Sequence, residues 1–276
     1  MFHCLYMKPS GDSGHNPEER HMIPDSIKFP RLKLGLLLFL AGLLGVAALV
    51  VTLLPQICDD VSLPAPLWLV MVASITQSAL LVALAVWLGV LLTPRIGLSA
   101  PAFEAMVTAR SVMTALRPQI FPGLIAGVLG GIGLFVIGGY ASPAVIAGAE
   151  QQFTIPLLAR VLYGGITEEL LLRWGVMTLL TWIAWRLLQR QKGTPQPVFV
   201  WLAIVVSALL FGAGHLPTAA MQVEELTAGL IMFVVGANTA FGVLFGYLFW
   251  RYGLEAAIFA HALSHVVSYI IAMPAA

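Results

Sequence analysis

Hydrophobic residues along the chain form long runs separated by short polar segments. Seven runs lie near or above the roughly 20 residues that a helix needs to cross the hydrocarbon core of a bilayer. The 155–190 run is too long for one simple crossing, which predicts a long tilted helix or a helix followed by a turn and an interfacial segment. The pattern predicts an all-α fold, a polytopic transmembrane helical bundle of about seven spans. The runs cover residues 34–54, 66–93, 119–141, 155–190, 198–215, 227–250 and 254–273.

Composition supports a membrane location. Of the 276 residues, 59% are hydrophobic and 10% are charged, and the mean hydropathy is +0.93. A soluble domain carries about 25% charged residues, so this chain lacks the polar surface to face water on all sides. The net charge is +1, and no basic block suggests a nucleic-acid partner. The expected surroundings are the lipid bilayer.

The loops alternate between basic and non-basic along the chain. Basic residues occur in the polar, Pro/Gly-rich segment 1–33, in 94–118, around 186–192 and at Arg251, whereas the intervening loops carry mainly acidic residues. The positive-inside rule then predicts a cytoplasmic N-terminus, with residues 1–33 as a flexible cytoplasmic tail and 34–154 as N-terminal transmembrane helices.

Two further features concern helix packing and the membrane surface. Residues 101–117 are expected to form an amphipathic helix on the cytoplasmic face, with its apolar side towards lipid. The apolar side consists of Phe103, Met106, Val107 and Met113. The 119–141 run places Gly123, Gly127 and Gly131 on one face, which favours close internal helix packing over dimerisation.

Polar and ionisable residues interrupt the apolar runs in three places. Such groups cost several kcal/mol in the membrane unless they are paired or face a cavity, so each is a functional candidate. The three groups are Glu168, Glu169 and Arg173 in the 155–190 run, Phe211 and His215 at the end of the 198–215 run, and His261 and His265 in the last run.

Helical geometry gives the two glutamates different roles. Glu169 and Arg173 are four residues apart, so they share a face and can pair, while Glu168 points about 100° away. An unpaired carboxylate such as Glu168 can take a proton from water and return it. His261 and His265 also share a face, and histidines that converge with a carboxylate can activate water and stabilise an oxyanion. The alternative is structural, with the Glu–Arg pair as a clamp and single histidines bonding neighbouring helices.

The three groups, in this order, resemble the CPBP family of membrane proteases. This family contains CAAX prenyl endopeptidases and bacteriocin-processing or immunity-related (Abi-like) proteins. The resemblance covers roughly residues 155–270. Glu168, Glu169 and Arg173 fit its Glu-Glu-x-x-x-Arg motif, Phe211 and His215 fit Phe-x-x-x-His, and His261 fits the first position of His-x-x-x-Asn/Asp.

The resemblance implies an intramembrane endopeptidase whose catalytic core is residues 155–273. In that reading Glu168 and His215 activate the attacking water, while His261 and its partner His265 stabilise the oxyanion. Glu169, Arg173 and Phe211 would support them. Position 265 is His where the family most often has Asn or Asp, and an imidazole can still donate a hydrogen bond.

Three alternatives stay open at this stage. The favoured mechanism needs no cofactor, but Glu168, His215 and His261 are also the residues with which a zinc-dependent version would bind the metal, with water as fourth ligand. A non-catalytic immunity or regulatory protein could bind a peptide in the same cavity. A transporter could use the same residues as a proton relay. The resemblance points to a bacterial inner-membrane protein acting on a membrane-associated peptide or protein, for which a prenylated substrate is not expected.

Overall fold

The computed structural model describes residues 30–58, 65–140, 155–223 and 225–273. Seven helical stretches in these ranges are long and apolar enough to cross a membrane, and the same ranges contain no strand. The predicted all-α bundle of about seven spans is therefore confirmed, and the chain is an integral membrane protein. In chain order the helices are α1 (Arg31–Cys58), α2 (Leu67–Ile96), α3 (Pro101–Val107), α4 (Val112–Tyr140), α5 (Leu157–Leu188), α6 (Pro197–Gly214), α7 (Leu216–Ala220), α8 (Ala228–Tyr252) and α9 (Leu254–Ala272).

Most of the predicted N-terminal tail lies outside the described residues. Of 1–33, only residues 30–33 are described, and α1 already begins at Arg31. The loop segments 59–64 and 141–154 also lie outside the described ranges, as does Glu224.

The helix α5 lies at the centre of the bundle. It packs against α1, α2, α6, α8 and α9, and small residues allow the close approach that van der Waals packing between membrane helices requires. A Cβ added at Gly165 would lie 2.7 Å from the methyl group of Ala262 in α9, and one added at Gly175 would lie 2.7 Å from that of Ala85 in α2. Because of this central position, residues projecting from α5 can meet residues from several helices.

The long 155–190 run forms one continuous helix rather than a helix followed by a turn. Much of α5, including Arg160–Glu168 and Leu170–Met177, has π-helical hydrogen bonding, in which an N–H group bonds the carbonyl five residues earlier. Such winding is frequent at functional sites. The first π-helical stretch ends at Glu168 and the second contains Arg173, with Glu169 between them.

The glycine face of α4 packs inside the bundle. Gly127 lies against Leu263 of α9, and a Cβ there would lie 2.7 Å from the Cβ of that leucine; Gly123 and Gly131 approach Phe259 and Val267 of the same helix. The expectation of internal packing rather than dimerisation is confirmed for this face.

The predicted single amphipathic helix over 101–117 is wrong. The chain forms the short α3, leaves the helical path with Ala109 at φ 54°, and starts α4 at Val112. Two contacts explain the break. The carboxylate of Glu255 accepts hydrogen bonds from the backbone N–H groups of Ala102 and Phe103 at 2.8 and 2.9 Å, which ties the start of α3 to α9. The Ser111 hydroxyl accepts from the N–H of Thr114 at 3.3 Å and so caps α4.

The side chains of α3 and of the first turn of α4 fall into an exposed set and a set that packs against the core. Met106 and Met113 are exposed, at 54% and 66%, as expected for residues facing lipid. Phe103 and Val107 instead pack against the hydrophobic core. Because Glu255 anchors the start of α3, these two residues face the core of the bundle rather than the lipid.

Candidate active site

Glu169 and Arg173 form the ion pair that their spacing predicts. Glu169 Oε1 lies 3.2 Å from Arg173 Nη1, and both residues are buried, at 0% and 1% exposure. A charge buried in this way is tolerated only when it is paired. The pair joins two turns of the central helix and provides one fixed negative and one fixed positive group inside the bundle.

Arg173 also contacts two other helices. Its Nη2 donates a hydrogen bond of 3.1 Å to the Gly242 carbonyl of α8. Its guanidinium lies over the rings of Phe211 and Phe245, with centroid distances of 4.7 and 5.6 Å, in a cation–π arrangement. Arg173 therefore positions aromatic rings from α6 and α8 around the site.

His261 is held between a carboxylate and an aromatic ring. Its Nδ1 lies 2.8 Å from Glu169 Oε1, and its ring stacks on Phe245 at 4.5 Å and 18°. A carboxylate accepts, so Nδ1 is the donor and Nε2 carries a proton only when the ring is cationic. Nε2 lies 3.9 Å from Glu168 Oε2. Glu169 thus orients His261, and the free nitrogen of His261 faces Glu168.

His215 follows the last residue of α6 and bonds back to its own helix. Its Nδ1 lies 2.8 Å from the Phe211 carbonyl oxygen. Because a carbonyl oxygen only accepts, Nδ1 carries the proton and Nε2 of the neutral ring is an acceptor. The Phe211 ring lies 4.7 Å from the His215 ring and 5.8 Å from the His261 ring. The Phe-x-x-x-His spacing therefore sets the tautomer of His215 and places one aromatic ring between the two histidines.

An open cavity joins these residues. It has a volume of about 480 Å³, and its wall includes Glu168, His215 and His265. The side chain of Glu168 is 18% exposed, whereas Glu169 beside it is fully buried. The His265 ring lies 5.1 Å from the His261 ring. The structure therefore brings all seven candidate residues into one connected group, and Glu168 is the glutamate that reaches the cavity.

A second cavity also borders His215. It has a volume of about 230 Å³ and is lined by His215, Asn238 and apolar residues of α8 such as Phe233. His215 thus lines both cavities. The combined space is of the size that binding sites for small molecules and short peptides have.

The close approach of α5 to α9 depends on Gly164. A Cβ at this position would lie 2.8 Å from His265 Nε2 and 3.3 Å from His261 Nε2, and the first distance is shorter than real Cβ contacts. The absence of a side chain at Gly164 is what lets both imidazole rings pack beside the helix that carries Glu168.

Sequence reasoning missed three residues of this site. Phe245 stacks on His261, Gly164 makes room for the histidines, and Tyr163 lines the cavity. Phe245 is one of 14 phenylalanines in an apolar chain, so nothing in its context singles it out. Gly164 and Tyr163 lie four and five residues before Glu168, and this proximity to the glutamate motif was the available signal.

Among the histidine, cysteine, aspartate and glutamate side chains of the described ranges, no group of three is arranged to hold a metal ion. These ranges include Glu168, His215 and His261, with which a zinc-dependent version would bind the metal.

Comparison with known families agrees with the motifs. Residues 150–267 match the model of the family described as Type II CAAX prenyl endopeptidase Rce1-like. Over this segment the chain is similar to that family, in agreement with its resemblance to CPBP intramembrane proteases. No curated protein and no solved structure matches the chain at a significant level.

The family segment coincides with the structural group described above. All seven candidate residues lie within 150–267, on α5, at the end of α6 and on α9.

Proposed function

We propose that the protein is an intramembrane protease, and that it hydrolyses a peptide bond with a water molecule activated by Glu168 and His215. The observation that carries the proposal is the convergence of the three motifs. Glu168, His215 and His265 line one cavity of about 480 Å³, and His261 lies 3.9 Å from Glu168. Peptide hydrolysis requires a group that takes a proton from water, an acceptor that orients the water and donors that stabilise the oxyanion. The carboxylate and the imidazoles around this one cavity can supply all three.

The first step is proton transfer from water. The Glu168 carboxylate takes one proton as the water oxygen attacks the carbonyl carbon of the substrate. Nε2 of His215 accepts the second hydrogen of the water in a hydrogen bond and so orients the attacking lone pair. The Nδ1–H bond to the Phe211 carbonyl supports this role, because it leaves Nε2 as the acceptor.

The attack creates an oxyanion, which His261 and His265 stabilise. His261 donates from Nε2 when its ring is cationic, and the Glu169 carboxylate at 2.8 Å stabilises that cation. A buried carboxylate that orients a histidine and stabilises its imidazolium is a known device of hydrolases. Phe245 restricts the ring from its other face, so that little reorganisation is needed as charge develops.

Collapse of the tetrahedral intermediate completes the reaction. The carbon–nitrogen bond breaks, and protonated Glu168 returns its proton to the leaving amine. The products are a new C-terminal carboxylate and a new N-terminal amine, and Glu168 is again ionised. The polar groups of this chain supply each proton transfer, and no step requires a metal.

The proposed catalytic core is residues 155–273, and residues 34–154 form N-terminal helices that support it. Six of the seven residues come from α5, α6 and α9, and the seventh, His215, directly follows α6. The N-terminal helices contribute by packing, since α1 and α2 contact α5 and α4 contacts α9.

We also propose that the N-terminus is cytoplasmic and that the membrane is the bacterial inner membrane. Of the eleven Lys and Arg residues in the described ranges, nine lie at the end of the bundle where α1 begins, termed here the basic end. The positive-inside rule supports a cytoplasmic location for that end. The nine residues are Arg31, Lys33, Arg95, Arg110, Arg117, Arg186, Arg190, Lys192 and Arg251.

The test is cleavage of a membrane-peptide library by the purified protein. Wild type is compared with Glu168→Gln and His215→Ala, with and without a chelator, and mass spectrometry identifies the products. Cleavage by wild type alone, unchanged by the chelator, is the expected result and would also give a substrate motif. Equal product patterns from wild type and folded variants would assign any cleavage to a contaminant and reject the proposal.

A further inference from the structure

The two ends of the bundle differ sharply in basic residues. Nine Lys and Arg residues of the described ranges lie at the basic end, and Arg173 is buried in the middle. The opposite end, where α1, α4 and α9 finish and α5 begins, has only Arg160 among the described residues. Basic residues near span ends mark the cytoplasmic side of a membrane protein, so an asymmetry of nine to one gives a clear orientation.

The cavity with Glu168 lies on the opposite side of the bundle from this basic end. Its wall includes Gly138 near the end of α4, Ile155 just before α5, Gln222 in the loop after α7, and Ser268 near the end of α9. Each of these residues belongs to the end with few basic residues.

The depth of the site can be estimated along α5. Glu168 is 11 residues from Leu157 and 20 residues from Leu188, which at 1.5 Å per residue corresponds to about 16 Å and about 30 Å. The shorter path leads to the end where the cavity is lined by loop and terminal residues. Along α5, Glu168 therefore lies nearer to the end with few basic residues than to the basic end.

We infer that the catalytic cavity opens on the non-cytoplasmic face of the membrane. Its substrates are then membrane-anchored proteins or peptides whose cleaved bond lies on that face, next to the anchoring segment. Cytoplasmic tails do not reach the site. The sidedness follows from charge and geometry alone, whereas the statement about substrates rests on the proposed proteolytic function.

Cysteine labelling in vesicles tests the sidedness without any reference to activity. In full-length protein with Cys4→Ser and Cys58→Ser, Gln222→Cys places a thiol on the cavity wall and Lys192→Cys places one in the loop at the basic end. Each variant is exposed to a membrane-impermeant maleimide in right-side-out and in inside-out vesicles. We expect Gln222→Cys to react at least tenfold faster in right-side-out vesicles and Lys192→Cys to show the reverse preference.

The labelling outcomes are decisive in both directions. Reaction of Gln222→Cys from the inside, or from neither face in protein that reacts after solubilisation, would overturn the inferred sidedness. Lys192→Cys is the matched control, because it confirms vesicle orientation in the same preparation.

Cleavage of an impermeant fluorogenic peptide library in the same vesicles tests the substrate class. The expected result is cleavage in right-side-out vesicles and at least tenfold less in inside-out vesicles. Cleavage mainly from the inside would refute the inference while leaving the protease intact. Correct labelling with no cleavage from either face would refute the proposed function and leave the sidedness standing.

Discussion

Replacing Gly164 with alanine adds one carbon atom at the closest contact between α5 and the catalytic histidines. The new Cβ would lie 2.8 Å from His265 Nε2 and 3.3 Å from His261 Nε2. Ordinary contacts lie at 3.4–4 Å, so the His265 ring must move by roughly 0.6–1.2 Å if α5 stays in place. The change therefore displaces one imidazole by about an ångström and hardly disturbs the other.

The size of the effect follows from that displacement. A misplacement of about 1 Å in a catalytic group can cost about 100-fold in rate, which corresponds to about 2.7 kcal/mol of transition-state stabilisation. Folding stability should change less. Overpacking costs about 1–3 kcal/mol, and exchanging glycine for alanine in a helix returns about 1 kcal/mol.

The assay is kcat/KM for a cleaved peptide, together with thermal unfolding in detergent. Gly138→Ala is the matched control, because Gly138 lines the same cavity and has open space where a Cβ would go. We expect Gly138→Ala to keep activity within about threefold, and Gly164→Ala to lose about 100-fold while remaining folded.

A double-mutant cycle identifies the cause of the loss. In a His265→Ala background the ring that blocks the new Cβ is gone, so Gly164→Ala should cost less than about fivefold. Full activity of Gly164→Ala in the wild-type background would refute the idea that the histidine positions matter at this precision. An equal loss in both backgrounds would show that the contact with His265 is not the cause.

Three further predictions concern residues that position the site. Arg173→Met should lower the free energy of unfolding by about 3–5 kcal/mol, because Glu169 loses its buried partner; an unchanged melting temperature in detergent would contradict this. Phe245→Leu should reduce kcat with little change in KM, because His261 loses its stacking partner, and a rise in KM alone would place Phe245 in substrate binding instead. Glu255→Ala should destabilise the protein by roughly 2–4 kcal/mol, because two backbone N–H groups of α3 lose their charged acceptor. Glu255→Gln should recover most of that loss in the same unfolding assay, and equal effects of the two changes would show that the hydrogen bonds contribute nothing.

The spans and the candidate residues were predictable from the sequence because both follow from the cost of polar groups in lipid. Seven long apolar runs could only be accommodated as helices. Glu168 and His261 stood out because ionisable groups are rare in such runs. The Glu169–Arg173 pair followed from helical spacing alone, and the structure shows it at 3.2 Å.

The meeting of His215 with His261 could not be derived from span positions. It depends on where α6 ends relative to α9, and that is decided by packing around the Phe211 ring. The break between α3 and α4 was missed for a similar reason. It depends in part on Glu255, which anchors the start of α3 and lies more than 150 residues away from the backbone N–H groups that it binds. Local amphipathicity carries no information about such a partner.

The role of Phe245 also could not be predicted from the sequence. Stacking on His261 at 4.5 Å depends on how α8 is rotated against α9, and an apolar helix with phenylalanine at several positions has no pattern that specifies this rotation. Similarly, only the structure shows that Glu168 reaches the cavity while Glu169 is enclosed.

The most direct test of the glutamate mechanism is the cleavage rate of purified wild type and Glu168→Gln on one peptide, measured after exhaustive chelation. Gln has nearly the same shape as Glu but cannot take a proton from water, so only the proposed chemistry is removed. We expect wild-type activity to be unchanged by the chelator and the variant to lose about 10²–10⁴-fold, the range that general acid–base catalysis contributes. Loss of wild-type activity on chelation, or a folded Glu168→Gln variant within tenfold of wild type, would contradict it.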